Sequence, residues 1–544
     1  MTAFLTSLSR LLLWYAPALA LIIASRLALM YFQLSSYQFM GFLAALKRQS
    51  RRVWLPGALP GVACLVITYL AGALAQVNTA WAIISPLLGA GLMLACAYWA
   101  DLLSYRRREG KSSLKMTARV KRLYAVYAAL MFVAFSLLRR AAPIMGLNAM
   151  VILPLPLWVL LAGLMAWPIE RVIYELYFRD AQKVLRERPD LTLIGITGSY
   201  GKTSVKFFLQ TILSQKYNAL CTPTSVNTPM GISACLRRDL TPAHNVFIAE
   251  MGARHRGDIK ELCRLLRPSI GILTSVGPQH LETLGDIETV KQTKYDLIRA
   301  LPADGLAVFG DNSGIVRDLY ENTRIPKAIT DAPDTDIWAE DVLADEDSTR
   351  FTLCFRDGRR LCCQTYVQGA HALRNILTAS AVAAHLGLSD RQLIHGIALI
   401  HPVKNRFRID TGADGVHRIN NGFNSNPVSS AETLEELSRD KYEGRRIIIT
   451  PGFVELGREE EKYNRELGVN IAKVADIVLL VGPRHTAPIR QGLLESGFHA
   501  GDIHTFDTLM DANAYLDTVK QQGDYVLYEN DLPDHYSEKK RARA

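Results

Sequence analysis

Hydrophobic positions are distributed very unevenly along this chain of 544 residues. In the first third they form long runs, at roughly 11–33, 56–75, 80–100, 123–140 and 148–167. Each is close to the ~20 apolar residues a helix needs to cross a bilayer. The pattern predicts about five transmembrane helices in a region 1–168. Hydrophobic segments keep recurring after the first, so the N-terminus does not read as a simple signal peptide. Residues 169–190 mix charges with apolar positions and predict a linker helix. Beyond Asp190, short β-rich runs alternate with amphipathic helical stretches, the signature of α/β domains. The division predicted is a central domain over 191–400 and a C-terminal domain over 401–544. In the latter, Ile447–Thr450, Ile477–Gly482 and Tyr525–Glu529 read as strands. Glu459–Val474 and Ala487–Ser496 read as helices between them, giving a small Rossmann-like sheet.

Charge sharpens this division. Met1–Asp180 holds 18 Lys/Arg against 5 Asp/Glu, whereas the remainder holds 44 against 47. The net charge of +10 therefore belongs to the apolar third, where it marks membrane flanks. No basic–aromatic motif points to nucleic acid. Lys47, Arg48, Arg51 and Arg52 lie between the first two runs, and Arg106 to Arg122 is rich in cations between the third and fourth. Cationic loops stay cytoplasmic. Five spans then place the N-terminus outside and everything after about Trp167 inside, in a multi-pass protein of the cell membrane. Arg26 falls inside the first run, where a charge is costly. The eight cysteines form no CxxC pair, which speaks against a zinc site and a disulfide framework.

The most informative stretch is LTLIGITGSYGKTSVKFFLQTIL. Leu191–Thr197 predicts a buried strand, Gly198-Ser199-Tyr200-Gly201 a tight loop, and Lys202-Thr203-Ser204 the start of a helix. Strand, glycine loop and helix N-terminus cradle phosphates, because backbone N–H groups and the helix dipole both favour anions. In such a loop Lys202 reaches the β/γ-phosphates and Thr203 holds Mg²⁺. Thr197 to Ser204 are thus the candidate ATP-binding residues. The loop is a variant, since Ile196 stands where the general pattern has its first glycine. The fold class predicted is an α-helical transmembrane region followed by α/β, with a P-loop ATPase-type central domain and a Rossmann-like C-terminal domain.

The Thr-Gly-x-x-Gly-Lys-Thr variant resembles the Mur ligases, the amide-forming enzymes of cell-wall precursor synthesis. The likeness continues in order through VFIAEMGARHRGDI, GILTSVGPQHLETLGDIETVKQTKYDLI, GAHALRNILTASAVAAHLGL, HPVKNRFRI, INNGFNSNPVSSAETLEEL and PGFVELG, and covers about 190–540. The resemblance implies that Glu250 and His280 help hold magnesium, two ions in all, and that Lys294 is carbamylated to give oxygen ligands. It implies Asn375 near the adenine and Arg406 reaching the ATP. Asn227, in NTPMGI, would lie beside the substrate, as would Asn421, Asn424 and Glu455 of the last domain. Lys202, Glu250, His280 and Lys294 would be the catalytic set. The implied reaction is ATP-dependent amide formation through an acyl phosphate, with D-Ala-D-Ala or a similar amine added to a muramoyl-peptide.

Several positions depart from the family pattern. Ala372 stands where Asn is usual, Asn405 where Gly is, Asn421 where Asp is and Phe423 where Tyr is. YENDLPDHY replaces a Lys-Gly-Ser element. Membrane spans replace the domain that grips UDP. These departures keep two alternatives open: a ligase whose carboxylate acceptor is lipid-linked, and a non-catalytic ATP-binding membrane scaffold.

Overall fold

The computed structural model describes residues 1–48, 50–106, 113–141, 155–345, 348–403, 408–422, 425–439 and 442–531. Arg406 and Asn424 lie outside these residues, as do Asn405, Phe423 and the side chains of Arg51 and Arg52. The chain divides into two compact units with the break near Glu175 and Leu176.

The first unit is helical: α1 (Thr2–Ala24), α2 (Arg26–Leu34), α3 (Phe39–Arg48), α4 (Ser50–Leu74), α5 (Trp81–Arg106), α6 (Ala118–Ala141) and α7 (Leu155–Arg186). Among the described residues, four stretches, Thr2–Leu34, Trp81–Leu103, Ala118–Arg140 and Leu155–Arg186, are long and apolar enough to cross a membrane. Gly61–Leu74 is a shorter apolar helix. Two features differ from the sequence expectation. The first span breaks at Ser25 into α1 and α2, and the linker expected at 169–190 is no separate element. α7 runs through Pro168 to Arg186. A drop in hydrophobicity does not end a helix; only a stop signal does, and one Pro removes a single backbone bond.

Several polar groups inside this unit are paired across its helices, which offsets the cost of burying them. The Arg26 guanidinium, at the start of α2, lies 2.9 Å from the Asp101 carboxylate on α5. Arg122 on α6 donates two hydrogen bonds to Glu170 on α7, at 2.6 and 2.9 Å. Trp14 and Tyr127 donate to the carbonyls of Phe135 and Leu21, tying α1 to α6. At Gly163 a Cβ would stand 2.6 Å from the Phe32 ring, so glycine lets α7 approach α2 closely. Arg26→Leu and Asp101→Leu are each expected to destabilise the solubilised protein more than the double variant does. The coupling should be at least ~1 kcal/mol in a denaturant double-mutant cycle, because either single change strands one charge.

The second unit contains two sheets of six strands and one of three. The first has the order β2-β3-β1-β4-β5-β6, all parallel. Its strands are β1 (Thr192–Thr197), β2 (Ala219–Cys221), β3 (Val246–Glu250), β4 (Ile270–Leu273), β5 (Leu306–Phe309) and β6 (Lys327–Ile329). β3, β4 and β5 are buried throughout, as strands covered on both faces must be. An antiparallel sheet of β7 (Ile337–Ala344), β8 (Thr349–Phe355) and β9 (Arg360–Thr365) follows. The last sheet has the order β10-β11-β15-β12-β13-β14, with only the β10–β11 pair antiparallel. It comprises β10 (Arg408–Thr411), β11 (His417–Asn421), β12 (Arg446–Thr450), β13 (Ile477–Val481), β14 (Ile503–Phe506) and β15 (Tyr525–Glu529). Ligands of such sheets bind beyond the carboxyl ends of the strands. Glu250 ends β3, Asn421 ends β11 and Glu529 ends β15.

Candidate active site

The glycine loop follows β1 and opens helix Lys202–Leu213. Gly201 has φ +82°, and a Cβ there would meet the Asn375 side-chain oxygen at 2.5 Å. Glycine is thus required twice over, by conformation and by the approach of a residue 174 positions away. The loop is pinned from beneath. Ser199 donates to Gly277 O at 2.8 Å, and Tyr200 N–H donates to the Ser275 hydroxyl at 2.9 Å. Thr197 donates to Met251 O at 3.2 Å.

Three lysines converge here. The Lys202 ammonium donates to Gly198 O at 2.6 Å and to Ser199 O at 3.3 Å, so it lies folded along the loop. Lys294 donates to the same Gly198 O at 2.9 Å. Its helix, Ile287–Arg299, is started by Asp286, which accepts from Thr289 N–H at 2.7 Å. That helix sits close to the sheet because β1 and β4 carry Gly195 and Gly271. A Cβ at either would come within 3.0 Å of Leu297 or Leu301. Burial, reinforced by Lys202, drives the Lys294 amine well below the ordinary lysine pKa.

The third lysine, Lys206, was not among the residues singled out from the sequence. It is fully buried and bonds Glu250 Oε2 at 3.0 Å and Pro223 O at 3.2 Å. Thr203 donates to the same Glu250 oxygen at 3.0 Å, and Asn227 reaches the other at 3.4 Å. Burial alone would raise the Glu250 pKa, but Lys206 and Lys202 outweigh it and hold the carboxyl below its ordinary value. The available signal was helical spacing: Lys206 is one turn beyond Lys202 and shares a side of the helix with the buried Leu209 and Leu213.

His280 pairs with a residue of the last domain. Its Nδ1 lies 2.5 Å from Glu455 Oε2, and the Glu282 N–H donates to Glu455 O at 2.9 Å. Both partners have left-handed backbones, His280 at φ +54° and Glu455 at φ +65°, conformations that bulky residues hold only when their surroundings enforce them. Burial keeps the His280 pKa below its ordinary value although Glu455 acts to raise it.

Asn375 Nδ2 lies 3.3 Å from His371 Nε2. Arg374 between them makes ion pairs with Asp331 at 3.0 Å and with Glu432 at 2.5 Å. His371 pairs with the same Glu432 at 3.1 Å. Burial pushes the Glu432 carboxyl up, but His371 and Arg374 bring it down to about 2. Tyr200, Phe208, His371, Asn375, Asn421 and Glu432 line a common cleft.

Asn421 donates to Glu529 Oε2 at 3.0 Å, and Ser425 donates to the other oxygen. This explains the departure at 421: an amide can donate to the buried carboxylate, whereas an aspartate there would repel it. Burial raises the Glu529 pKa from 4.5 to about 7. The folded chain thus keeps a proton that the unfolded chain releases, so stability falls as pH rises through this interval. About 3 kcal/mol is lost by pH 7 and above. Glu529→Gln should therefore raise the melting temperature of the C-terminal domain at pH 8.5 and leave it little changed at pH 4.5, as calorimetry would register.

The donors around the loop suit Mg²⁺, which takes hard oxygens and relies on phosphates for much of its coordination. Thr203 and Glu250 supply such oxygens. Among the described residues, no group of three His, Cys, Asp or Glu side chains forms a metal cage.

A glycine loop between strand and helix, buried lysines, a carboxylate at a strand end and a second α/β domain on the same cleft define a nucleotide-dependent ligase. Residues 196–383 match the Mur ligase middle domain. UDP-N-acetylmuramoyl-tripeptide–D-alanyl-D-alanine ligase of Mycobacterium tuberculosis (strain CDC 1551 / Oshkosh) is 32% identical over 358 residues, 62% of this chain and 70% of that one. Its counterpart from Escherichia coli (strain K12) is 28% identical over 317 residues, 57% of this chain and 69% of the relative. The MurF ligase of Thermotoga maritima, solved with ADP, shares the fold at a TM-score of 0.59 and 24% identity, covering 66% of this chain and 80% of that one. The chain belongs to the Mur ligase family, whose members are ATP-dependent ligases.

Proposed function

We propose that the chain is a membrane-anchored ligase that uses ATP to join D-alanyl-D-alanine to the carboxylate of a UDP-muramoyl-tripeptide. The observation that carries this reading is the 32% identity over 70% of a relative named for that pair of substrates. In this reading 191–400 form a P-loop ATPase-type domain and 401–544 a Rossmann-like domain that closes on the amine. The helices within 1–168 anchor the enzyme in the cell membrane, N-terminus outside. α7 carries the chain out on the cytoplasmic side, where ATP is.

The substrate carboxylate attacks the γ-phosphorus, ADP leaves, and an acyl phosphate forms. The amine then attacks the acyl carbon, loses a proton and expels phosphate. Lys202 stabilises charge that develops on the transferring phosphoryl group, a large catalytic term when the cation is already in place. Asn375 and Arg406 would hold the nucleotide. Thr203 and Glu250 would hold Mg²⁺, with carbamylated Lys294 and His280 nearby, and the metal would supply positive charge to the phosphates. Asn227, Asn421, Asn424 and Glu455 would bound the acceptor and amine sites. The His280–Glu455 contact supports closure of the second domain, which keeps water from the acyl phosphate.

A second reading keeps the chemistry and makes the acceptor lipid-linked. The favouring observation is the helical unit itself, whose apolar helices suit the bilayer in which a lipid-linked acceptor is carried. The full chain in detergent would be given Mg-ATP, D-Ala-D-Ala and either UDP-muramoyl-tripeptide or its lipid-linked counterpart, with products weighed by mass spectrometry. A mass gain on the soluble precursor establishes the first reading. A gain only on the lipid form replaces it with the second, and no gain on either overturns both.

A further inference from the structure

The Lys206 side chain has no exposed surface, and among the described lysines of this unit only Lys294 is comparably buried. The stem of Lys206 leaves the buried face of helix Lys202–Leu213, and its charge is directed at one atom, Glu250 Oε2, which it shares with the Thr203 hydroxyl. Pro223 O takes a second of its protons at 3.2 Å, fixing the ammonium from the far side. The Glu250 backbone is anchored as well, its N–H donating to the Thr222 hydroxyl at 3.1 Å. The other oxygen, Oε1, has Asn227 Nδ2 at 3.4 Å. A bare carboxylate at this strand end would attract a divalent cation by itself. With Lys206 against it the pair is neutral, and the Lys202 ammonium makes the surroundings net positive.

We propose that Lys206 is a positioning residue that makes metal binding conditional on nucleotide: it neutralises Glu250 and occupies its inner oxygen, so that a divalent cation enters only together with polyphosphate. The proposal rests on the reading that Glu250 faces the metal of the metal–nucleotide complex. A phosphate chain brings several negative charges onto the loop. It restores attraction for the cation, to which Glu250 then adds the single oxygen Oε1. The consequence is that metal and nucleotide enter the site together.

The test measures Mn²⁺ binding by electron paramagnetic resonance on the full chain in detergent, with and without ADP, alongside melting curves that certify folding. Wild type should bind Mn²⁺ appreciably only with ADP. K206M should bind one Mn²⁺ without ADP at least about tenfold more tightly than wild type, since an uncompensated carboxylate attracts a cation strongly in a buried site. K206M/E250Q should lose that gain. K206Q keeps a hydrogen-bond donor beside Glu250 and serves in place of K206M if the latter does not fold. A purely structural role for Lys206 predicts weaker binding or none, never a gain. Folded K206M or K206Q binding Mn²⁺ no more tightly than wild type would overturn the proposal. If instead E250Q binds Mn²⁺–ADP as wild type does, it is the placement of Glu250 at the metal that fails.

Discussion

Replacing Lys202 with alanine is expected to lower kcat/KM for ATP-dependent amide formation by about 10²–10³-fold, with most of the loss in kcat. The reason lies in where the ammonium sits. Gly198 O and Ser199 O hold it along the loop, so its charge is in place before phosphoryl transfer begins. Alanine removes that charge and leaves the rest of the cradle standing, because Thr203, Glu250 and Lys206 bond one another independently of it. Arginine should not rescue the variant, since a planar guanidinium does not fit a site shaped for a compact ammonium. Coupled-assay kinetics with varied ATP check this. A change confined to KM would mean that Lys202 serves binding alone.

Lys294→Ala is expected to cost a comparable factor and, unlike Lys202→Ala, to be partly restored by short carboxylates such as formate or acetate. An amine attacks carbon dioxide only when neutral, and burial next to Lys202 holds Lys294 in that state far below the pH at which an exposed lysine would lose its proton. The carbamate so formed would present oxygens near the loop, and a free carboxylate diffusing into the space left by alanine offers the same atoms. Bicarbonate-depleted buffer should lower wild-type turnover and leave the variant unaffected. If Lys294 instead worked as a cation, Lys294→Arg would retain activity and carboxylates would do nothing. Initial-rate measurements on the three proteins separate the two roles.

Both predictions start from residues that were legible in the sequence. The strand–loop–helix around Gly198–Thr203 is contiguous, so its geometry follows from local rules: glycine where φ is positive, a helix N-terminus behind the lysine, a buried β-run in front. The apolar runs were equally legible, because length and hydropathy are local quantities. Boundaries were less so. The helix expected over 169–190 is, in the structure, the continuation of α7 to Arg186. The strands Arg408–Thr411, His417–Asn421 and Ile503–Phe506 did not stand out because their polar residues, as in RIDT, HRINN and IHTF, interrupt the apolar run.

What the sequence by itself determined is thus the glycine loop, the order of the motifs and the contrast between an apolar basic third and a neutral α/β remainder. Each of these depends on neighbours along the chain. What only the tertiary structure decided is which charges meet. Lys206 and Glu250 are 44 residues apart, Asn421 and Glu529 are 108, and His280 and Glu455 are 175. A lysine in a helix reads as a solvated residue until the fold shows that its face is buried. A glutamate at a strand end has no assigned partner until the sheet order is known. Electrostatic energy depends on distance and on exclusion of water, and neither is a property of sequence separation. For that reason the pairing of Arg26 with Asp101, the amide at position 421 and the role of Lys206 became readable only once the helices and sheets were assembled.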